Sequence, residues 1–195
     1  MAVQPPSGER ASLEFSDDSL KPDDAIRLPS FDPVPIPPNL HSVYEGGPFS
    51  TCTVCSESLT DGRFYEIQKV YHGTECIFEM SVCHTCGETI ARDFSEASLE
   101  AIKGFLICNF KPTREPHHCH FCGLPRSLFK NYTIVGACSE ASLVFPSIVM
   151  CEKCSEGLQE RLSQKTKEIQ GDFMQDHFPG VPADFDLSPT LGGIL

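Results

Sequence analysis

The sequence predicts a small α+β protein made of two similar modules, each with a cysteine knuckle, a β-hairpin and a helix. Two observations predict this class. The first is a set of four Cys-x-x-Cys motifs, Cys52/Cys55, Cys83/Cys86, Cys119/Cys122 and Cys151/Cys154. The gap between the first and second motifs, residues 56–82, is nearly as long as the gap between the third and fourth, residues 123–150. The second is a similarity between the two halves of the sequence. Cys52 and Tyr65 correspond to Cys119 and Tyr132, 67 residues later (119 − 52), and the offset becomes 68 (151 − 83) at the second cysteine motif of each half. Such self-similarity is typical of an internal repeat.

The cysteine spacing predicts two structural zinc ions per chain. Two Cys-x-x-Cys turns bring four thiolates around one ion in a closed tetrahedral site with Zn–S distances near ~2.3 Å. Disulfides are disfavoured because the chain starts without a signal-peptide pattern and carries an odd number of cysteines, 11. A redox dithiol normally occurs once rather than as four copies, whereas iron–sulfur ligation would use the same four thiolates and stays open as an alternative. We expect the three cysteines outside the motifs, Cys76, Cys108 and Cys138, to be small buried hydrophobes.

Residues 1–48 are predicted to form a disordered, acidic and proline-rich arm. The segment 28–38 carries prolines at 29, 33, 35, 37 and 38, a density that prevents regular backbone hydrogen bonding and favours polyproline-II geometry. Two interpretations stay open. The arm is either a linear docking segment anchored by Phe31 and Ile36, or a solvated tail whose last part lies across the zinc core.

The first zinc module is predicted at residues 49–108. Apolar residues at every second position indicate strands over 63–70 and 76–82, with Gly73 in the turn between them. After Cys86 the spacing becomes helical over 88–106, which predicts one helix or two short ones ending near Gly104.

The second zinc module is predicted at residues 109–178, after a short linker over 109–116. Strands are expected at 132–135 and 143–150, and one helix at 155–173, with its apolar residues on one stripe. Residues 179–195 are expected to form a flexible tail.

The order of knuckle, hairpin, second cysteine motif and helix resembles the treble-clef class of zinc fingers. In the second module, C-x-F-C-G at Cys119–Gly123 and Cys151-Glu152-Lys153-Cys154 before a helix are similar to the zinc-binding domain at the N-terminus of the ClpX unfoldase. That resemblance implies a module that dimerises and docks adaptors and substrates. The hairpin here is longer, and no G-x-x-x-x-G-K-[ST] motif is present, so the resemblance implies docking without the ATPase.

Charge and composition limit the possible partners. The formal net charge is -12, which disfavours generic binding to nucleic acid or to anionic membranes. No apolar run approaches the roughly 20 residues that span a bilayer. Reduced thiols at zinc and the absence of a targeting pattern predict a cytoplasmic protein.

The favoured function is a non-catalytic protein-interaction module or adaptor with an unidentified protein partner and a possible homodimeric state. The alternative is nucleic-acid binding through the basic and aromatic segment 111–130, in which Phe121 and Phe129 would stack and four cationic side chains would contact phosphates: Lys111, Arg114, Arg126 and Lys130. An enzyme of the HNH nuclease type would need metal-binding histidines on a helix that follows a second cysteine motif. The helices predicted after Cys86 and Cys154 supply no histidine before His177, which lies at the far end. The sequence therefore predicts no catalytic site.

Overall fold

An antiparallel sheet of six strands forms the centre of the molecule. The structure is a computed structural model that describes residues 31–112 and 114–181. Its strands are β1 (Val34–Pro35), β2 (Phe64–His72), β3 (Glu75–Cys83), β4 (Asn131–Ser139), β5 (Ser142–Leu143) and β6 (Ile148–Cys151). Their order is β1-β5-β4-β2-β3, and β6 pairs with β4 beyond β5. The four α-helices of the described residues accompany this sheet, which confirms the predicted α+β class.

The first predicted hairpin is present, with longer strands than predicted. Strands β2 and β3 pair from Tyr65↔Cys83 to His72↔Glu75. Gly73 lies in the turn at φ +62°, the left-handed region that glycine enters without strain. In the second module the predicted strand over 143–150 is interrupted, because residues 144–147 leave the sheet between β5 and β6. Pro146 lies in this break and has no N–H group to donate to a neighbouring strand.

The two hairpins join edge to edge through β2 and β4. These strands pair along their whole length, from Phe64↔Ser139 to His72↔Asn131, with Gln68 opposite Val135 at the centre. Residues 68 and 135 are separated by the same 67 positions that relate the first cysteine motifs. The hairpins are therefore paired about a local two-fold axis that passes between Gln68 and Val135.

The helices repeat the same relation. They are α1 (His84–Asp93), α2 (Glu96–Asn109), α3 (Glu152–Gln159) and α4 (Gln164–His177). Ser95 caps α2 by accepting a hydrogen bond from the Ser98 N–H, and Ser163, 68 positions later, caps α4 through the Thr166 N–H. The two cap hydroxyl oxygens lie 2.7 Å apart, so the helix layer has its own contact close to the axis. The single helix predicted over 155–173 is wrong, because the chain turns at 160–162 and Ser163 starts a new helix.

The second helix of each module packs on the other module. Phe105 of α2 belongs to a core cluster with Val135 and Met150 of the second hairpin. Phe173 of α4, 68 positions after Phe105, belongs to a cluster with Val70 and Phe78 of the first hairpin. The predicted boundary between residues 108 and 109 therefore divides the sequence but not the hydrophobic core.

Residues 31–48 cover the sheet face opposite the helices, which corrects the predicted disorder for this part of the arm. Val34 and Pro35 form β1 against β5, and Leu40 is fully buried. A Cβ atom on Gly136 would lie 2.5 Å from Leu40 Cδ1, so the close approach of the arm to β4 requires glycine there. Ile36 is buried and Phe31 is partly buried in the same cluster, so both proposed docking anchors pack inside the chain itself. Residues 1–30, with the rest of the predicted arm, lie outside the described residues.

A buried ion pair fastens the arm to the sheet. Lys69 Nζ lies 2.9 Å from Glu79 Oε2, and the two side chains are only 2% and 5% exposed. Lys69 also donates to the carbonyl of His41, while the Glu79 carboxylate accepts from the Ser42 hydroxyl at 2.9 Å and from the Val43 N–H at 2.9 and 3.0 Å. Burial acts to raise the pKa of Glu79, but the bonds from Val43, Lys69 and Ser42 outweigh it and hold that pKa below its usual value.

Candidate metal centre

The eight motif cysteines form two separate groups of four. Cys52, Cys55, Cys83 and Cys86 make the first group, and Cys119, Cys122, Cys151 and Cys154 make the second. Within each group all sulfur atoms lie within 4.8 Å of one another. The structure thus brings together the eight residues that the sequence predicts as ligands.

The first motif of each group is a tight knuckle. The Cys52 N–H donates to the Glu57 carbonyl, and its carbonyl accepts from the Ser56 N–H, both at 2.9 Å. The second knuckle has the corresponding pair of bonds between Cys119 and residues Leu124 and Gly123, also at 2.9 Å. Ser56 and Gly123 both have positive φ, +60° and +76°, because the turn after the second cysteine bends the chain back through the left-handed region.

The second motif of each group lies at the start of a helix. Cys83 is the N-cap of α1 and Cys151 is the N-cap of α3, so Cys86 and Cys154 fall in the first helical turns. A helix N-terminus carries unpaired N–H groups and a partial positive charge, which stabilise anionic sulfur nearby. The Cys83 N–H donates to Cys52 Sγ at 3.3 Å, and the Cys151 N–H donates to Cys119 Sγ at 3.5 Å.

These bonds favour the thiolate form at two corresponding positions. Burial raises the pKa of Cys52, but the N–H groups of Cys83, Cys55 and Val54 more than offset it, and that pKa lies below its usual value. Hydrogen bonds from the Cys151 and Cys154 thiols lower the pKa of Cys119 in spite of its burial. Since only the thiolate ligates a metal, the hydrogen bonds of each centre favour the ligating form at its first cysteine, chiefly from backbone N–H groups at Cys52 and from neighbouring thiols at Cys119.

The sulfur separations fit a tetrahedral ion. A tetrahedron with Zn–S bonds of ~2.3 Å has S···S edges of ~3.8 Å. The sulfurs of Cys55 and Cys83 are 3.9 Å apart, and the corresponding pair Cys122 and Cys151 is 3.7 Å apart. Cys119 and Cys154 are separated by 3.8 Å. A disulfide needs about 2.05 Å, and all eleven cysteines, which lie in the described part of the chain, are free. Each group can therefore hold one zinc ion with four protein ligands.

The two centres differ in their exposure. In the first, Cys55 is exposed and Cys86 is half-buried, whereas in the second only Cys122 is half-buried and the other three are buried. The core explains this difference, because Cys119, Cys151 and Cys154 belong to the large cluster beneath α2 and α3. Solvent and chelators therefore reach the first centre more easily.

The other three cysteines differ in position. Cys138 is buried on β4, where burial raises its pKa to about 12, as expected for a small hydrophobe. Cys76 is half-buried, and Cys108 on α2 is exposed, so the expectation of burial is wrong for Cys108.

In the basic segment 111–130, three of the four predicted cationic side chains are exposed and one is half-buried. Lys111, Arg126 and Lys130 are exposed, and Arg126 lies over the Tyr132 ring at 5.1 Å. Arg114 is half-buried, packs on Gly123 and donates to the Cys119 carbonyl at 3.3 Å. Phe121 is 5% exposed and contacts Phe105 and Phe110, so this ring is part of the core. Phe129 is half-buried against the core clusters.

The histidines beside the motifs take no ligand position in either group. His120 is buried, and its Nδ1 accepts the Val149 N–H at 3.0 Å, which fixes the knuckle to β6. Burial lowers the pKa of His120, in keeping with a neutral ring. His117 and His118 form a third group of ligand-type side chains with Glu115, which lies near the surface and which the cysteine pattern does not predict.

The fold and the two sulfur groups define a small α+β protein with two candidate zinc centres of the four-cysteine kind. No family model matches the chain, and neither a curated protein nor a solved structure does. The similarity to the ClpX zinc-binding domain thus stays a prediction from the residues. Among the described residues, no helix has the length and apolar character needed to cross a bilayer.

Proposed function

We propose that this chain is a non-catalytic protein-interaction module in which two structural zinc ions hold a rigid docking surface. The modules are treble-clef-like units related by an internal repeat and paired within one chain about the local two-fold axis. Two features support a structural role for the metal. Each group supplies four thiolates, which leaves no open coordination position for water or substrate, and each is built into the core between a hairpin and a helix.

The observation that carries the docking role is the loop over residues 42–47, which we call the display loop. Its Tyr44 is 93% exposed and Val43 is 65% exposed, although both side chains are apolar or aromatic. The loop backbone is closed by bonds from the Ser42 N–H to the Gly47 carbonyl at 2.8 Å and from the Gly46 N–H to the Ser42 carbonyl at 3.0 Å. Its base is fastened to the buried Glu79 carboxylate.

Such an arrangement favours binding to another protein. Tyrosine is enriched among the residues that contribute most to interfaces, because its ring is large, rigid and polar at one end. A loop that is already ordered loses little conformational entropy when it binds. Nucleic-acid stacking has less support, since the core contacts of Phe121 leave only the half-buried Phe129 of the two predicted stacking rings.

The metal part of the proposal is tested by native mass spectrometry of the purified chain. We expect two zinc ions per chain, and fewer after Cys119→Ser. Iron or no metal in the wild-type protein would contradict it. The same spectrum gives the number of chains in the particle.

The docking part is tested by chemical cross-linking of the zinc-loaded chain in a lysate of the source cells. A partner should be cross-linked to the wild-type chain and lost from the double variant Val43→Ser/Tyr44→Ser. The matched control is Leu128→Ser, which removes another side chain that is 68% exposed and lies outside the display loop. Partners that are retained equally by both variants, or no partner at all, would show that the display loop is not the docking surface.

A further inference from the structure

A cavity lies on the helix side of the sheet, at the seam between the two hairpins. Its volume is about 330 Å³, and its lining includes Phe64, Glu66 and Val82 of the first hairpin, Gly87 of α1, and Ala137 and Phe145 of the second module. A volume near 300 Å³ is at the lower end of the range for small-molecule sites. The lining contains no lysine or arginine, and its one histidine, His84, is exposed.

The cavity lies where the two halves of the chain differ. In the first hairpin β3 is continuous, and Phe78 packs edge-on against Phe178 at 4.8 Å. In the second module the corresponding stretch contains the residue that shifts the offset from 67 to 68, and there residues 144–147 leave the sheet. The break leaves space above Ala137, whose carbonyl accepts the Val144 N–H at 2.9 Å. The open space thus lies beside the break, whereas Val70, the residue that corresponds to Ala137 at the offset of 67, is buried with Phe78 and Phe173.

Glu66 gives the cavity a specific chemistry. This carboxyl group is half-buried, lines the cavity and has neither a hydrogen bond nor an ion pair with any of the described residues. Burial raises its pKa to about 8, with no opposing contribution from a cation. The buried carboxylate on the other sheet face, Glu79, has Lys69 as its partner. Even partial burial of a carboxyl group without a partner is costly, so Glu66 is the group that a ligand would satisfy.

The charges at the mouth of the cavity also favour a cation. Glu88 of α1 lines the cavity and is half-exposed, with only long contacts of 3.5 Å to His84 and Arg92. Phe64 is exposed at the mouth and presents an aromatic face there. The net charge of -12 acts in the same direction over longer distances.

We propose that this cavity is a binding site for a small organic cation that joins an apolar body to one protonated amine. The amine nitrogen pairs with Glu66, which gives up its proton to solvent as the charged pair forms, and the apolar body lies between Phe64 and Phe145. Anions are disfavoured, because Glu88 repels them at the mouth and Glu66 becomes negative once its proton has left. This site is separate from the display loop, so neither proposal depends on the other.

The proposal is tested by titrating the ¹⁵N-labelled, zinc-loaded full chain with three amines that differ in chain length or ring size and following amide shifts by NMR. The probes are 2-phenylethylamine, 4-phenylbutylamine and tryptamine, and the controls are the matched alcohol 2-phenylethanol and the acid 3-phenylpropionate. At least one amine should shift the amides of β2 and of the first turn of α1 and saturate. 2-Phenylethanol should bind at least about tenfold more weakly than 2-phenylethylamine, and the acid should not bind, since a hydrogen bond to a charged group contributes at least this factor.

Three variants locate the effect. Glu66→Gln should remove the tenfold preference for the amine over the alcohol, whereas Glu75→Gln, which removes an exposed carboxylate at the hairpin turn, should change nothing. Phe64→Ser alters an exposed side chain, so it should leave the fold intact and weaken amine and alcohol alike. The proposal is overturned if none of the amines binds, if amine and alcohol bind equally, or if the shifts map away from the cavity.

Discussion

Replacing Lys69 by methionine tests the buried ion pair that fastens the arm. The substitution keeps the length and the apolar stem of the side chain but removes its charge. Glu79 then stays buried at 5% exposure without its cation, and the His41 carbonyl loses its donor. Breaking one partner of a buried pair typically costs about 3–5 kcal/mol, because the remaining charge is left uncompensated. We therefore expect Lys69→Met to lower the free energy of unfolding by about 3–5 kcal/mol.

The double variant Lys69→Met/Glu79→Met separates the effect of the buried charge from the effect of the hydrogen bonds that Glu79 accepts from Ser42 and Val43. With both charges gone, most of that loss should be recovered, since apolar replacement of a buried pair is often neutral. The Ser42 hydroxyl and the Val43 N–H nevertheless lose their acceptor, so the display loop should open more often. Urea unfolding in zinc-containing buffer, followed by circular dichroism, measures the first effect. Amide hydrogen exchange at Val43 measures the second.

The exposed pair Arg63–Asp61 provides the control. It is 2.6 Å long, but its side chains are 33% and 47% exposed, so Arg63→Met should shift the urea midpoint far less than Lys69→Met does. If Lys69→Met costs no more than Arg63→Met, or if the two single substitutions at 69 and 79 simply add, the buried pair does not fasten the arm in the way described.

Four further outcomes are expected. A chelator should remove zinc from the first centre before the second, because Cys55 is exposed, and equal release rates in a colorimetric zinc assay would contradict this. The variant Cys55→Ser should retain one zinc ion per chain on dialysis. Gly136→Ala should cost about 1–3 kcal/mol in urea unfolding, since its Cβ meets Leu40 at 2.5 Å, while Gly47→Ala, with nothing within 4 Å, should be nearly neutral. Ser163→Ala should cost about 1–2 kcal/mol by loss of the α4 cap, and an unchanged urea midpoint would refute the cap. Glu66 has a folded-state pKa of about 8, above the usual value of about 4.3. The folded state therefore holds a proton that the unfolded state releases, and the free energy of unfolding falls as the pH rises between these two values. From pH 6 to 8 the wild-type chain should lose about 1–2 kcal/mol relative to Glu66→Gln, and parallel pH profiles of the two chains would show that burial does not raise the pKa of Glu66.

Local patterns predicted the metal centres and most of the elements. The cysteine spacing identified all eight sulfur atoms that the structure groups, because a Cys-x-x-Cys turn is a local geometry that needs few distant contacts. The alternation of apolar residues predicted β2 and β3 to within about two residues. The helix break at Ser163 was missed, although the corresponding break at Ser95 agrees with the alternative of two short helices predicted over 88–106.

Long-range pairing was beyond the sequence pattern. Nothing in β2 or β4 alone specifies that Gln68 lies opposite Val135, since each strand is buried on both faces and can in principle pair with either neighbour. The course of the arm depends equally on distant residues. Leu40 is buried because Gly136 leaves room for it, and residues 41–43 are held by Lys69 and Glu79 from two other strands. The many prolines of the arm indicate that it lacks long helices and strands, but they do not indicate whether the arm packs against the sheet.

Helices α2 and α4, each of which packs on the other module, bring the two cysteine centres into contact with a shared core. Cys86 and Ile90 lie against the cluster that contains Phe173, and Phe173 belongs to the helix that follows the second centre. In the same way Cys154 and Leu158 share a cluster with Phe105, which belongs to the helix that follows the first centre. Loss of one metal would therefore loosen the helix that covers the other, while the β2–β4 pairing keeps the two hairpins in one sheet. A bound metal in each centre would add to this mutual cover, because a module of some sixty residues buries a small share of its surface and is only marginally stable alone.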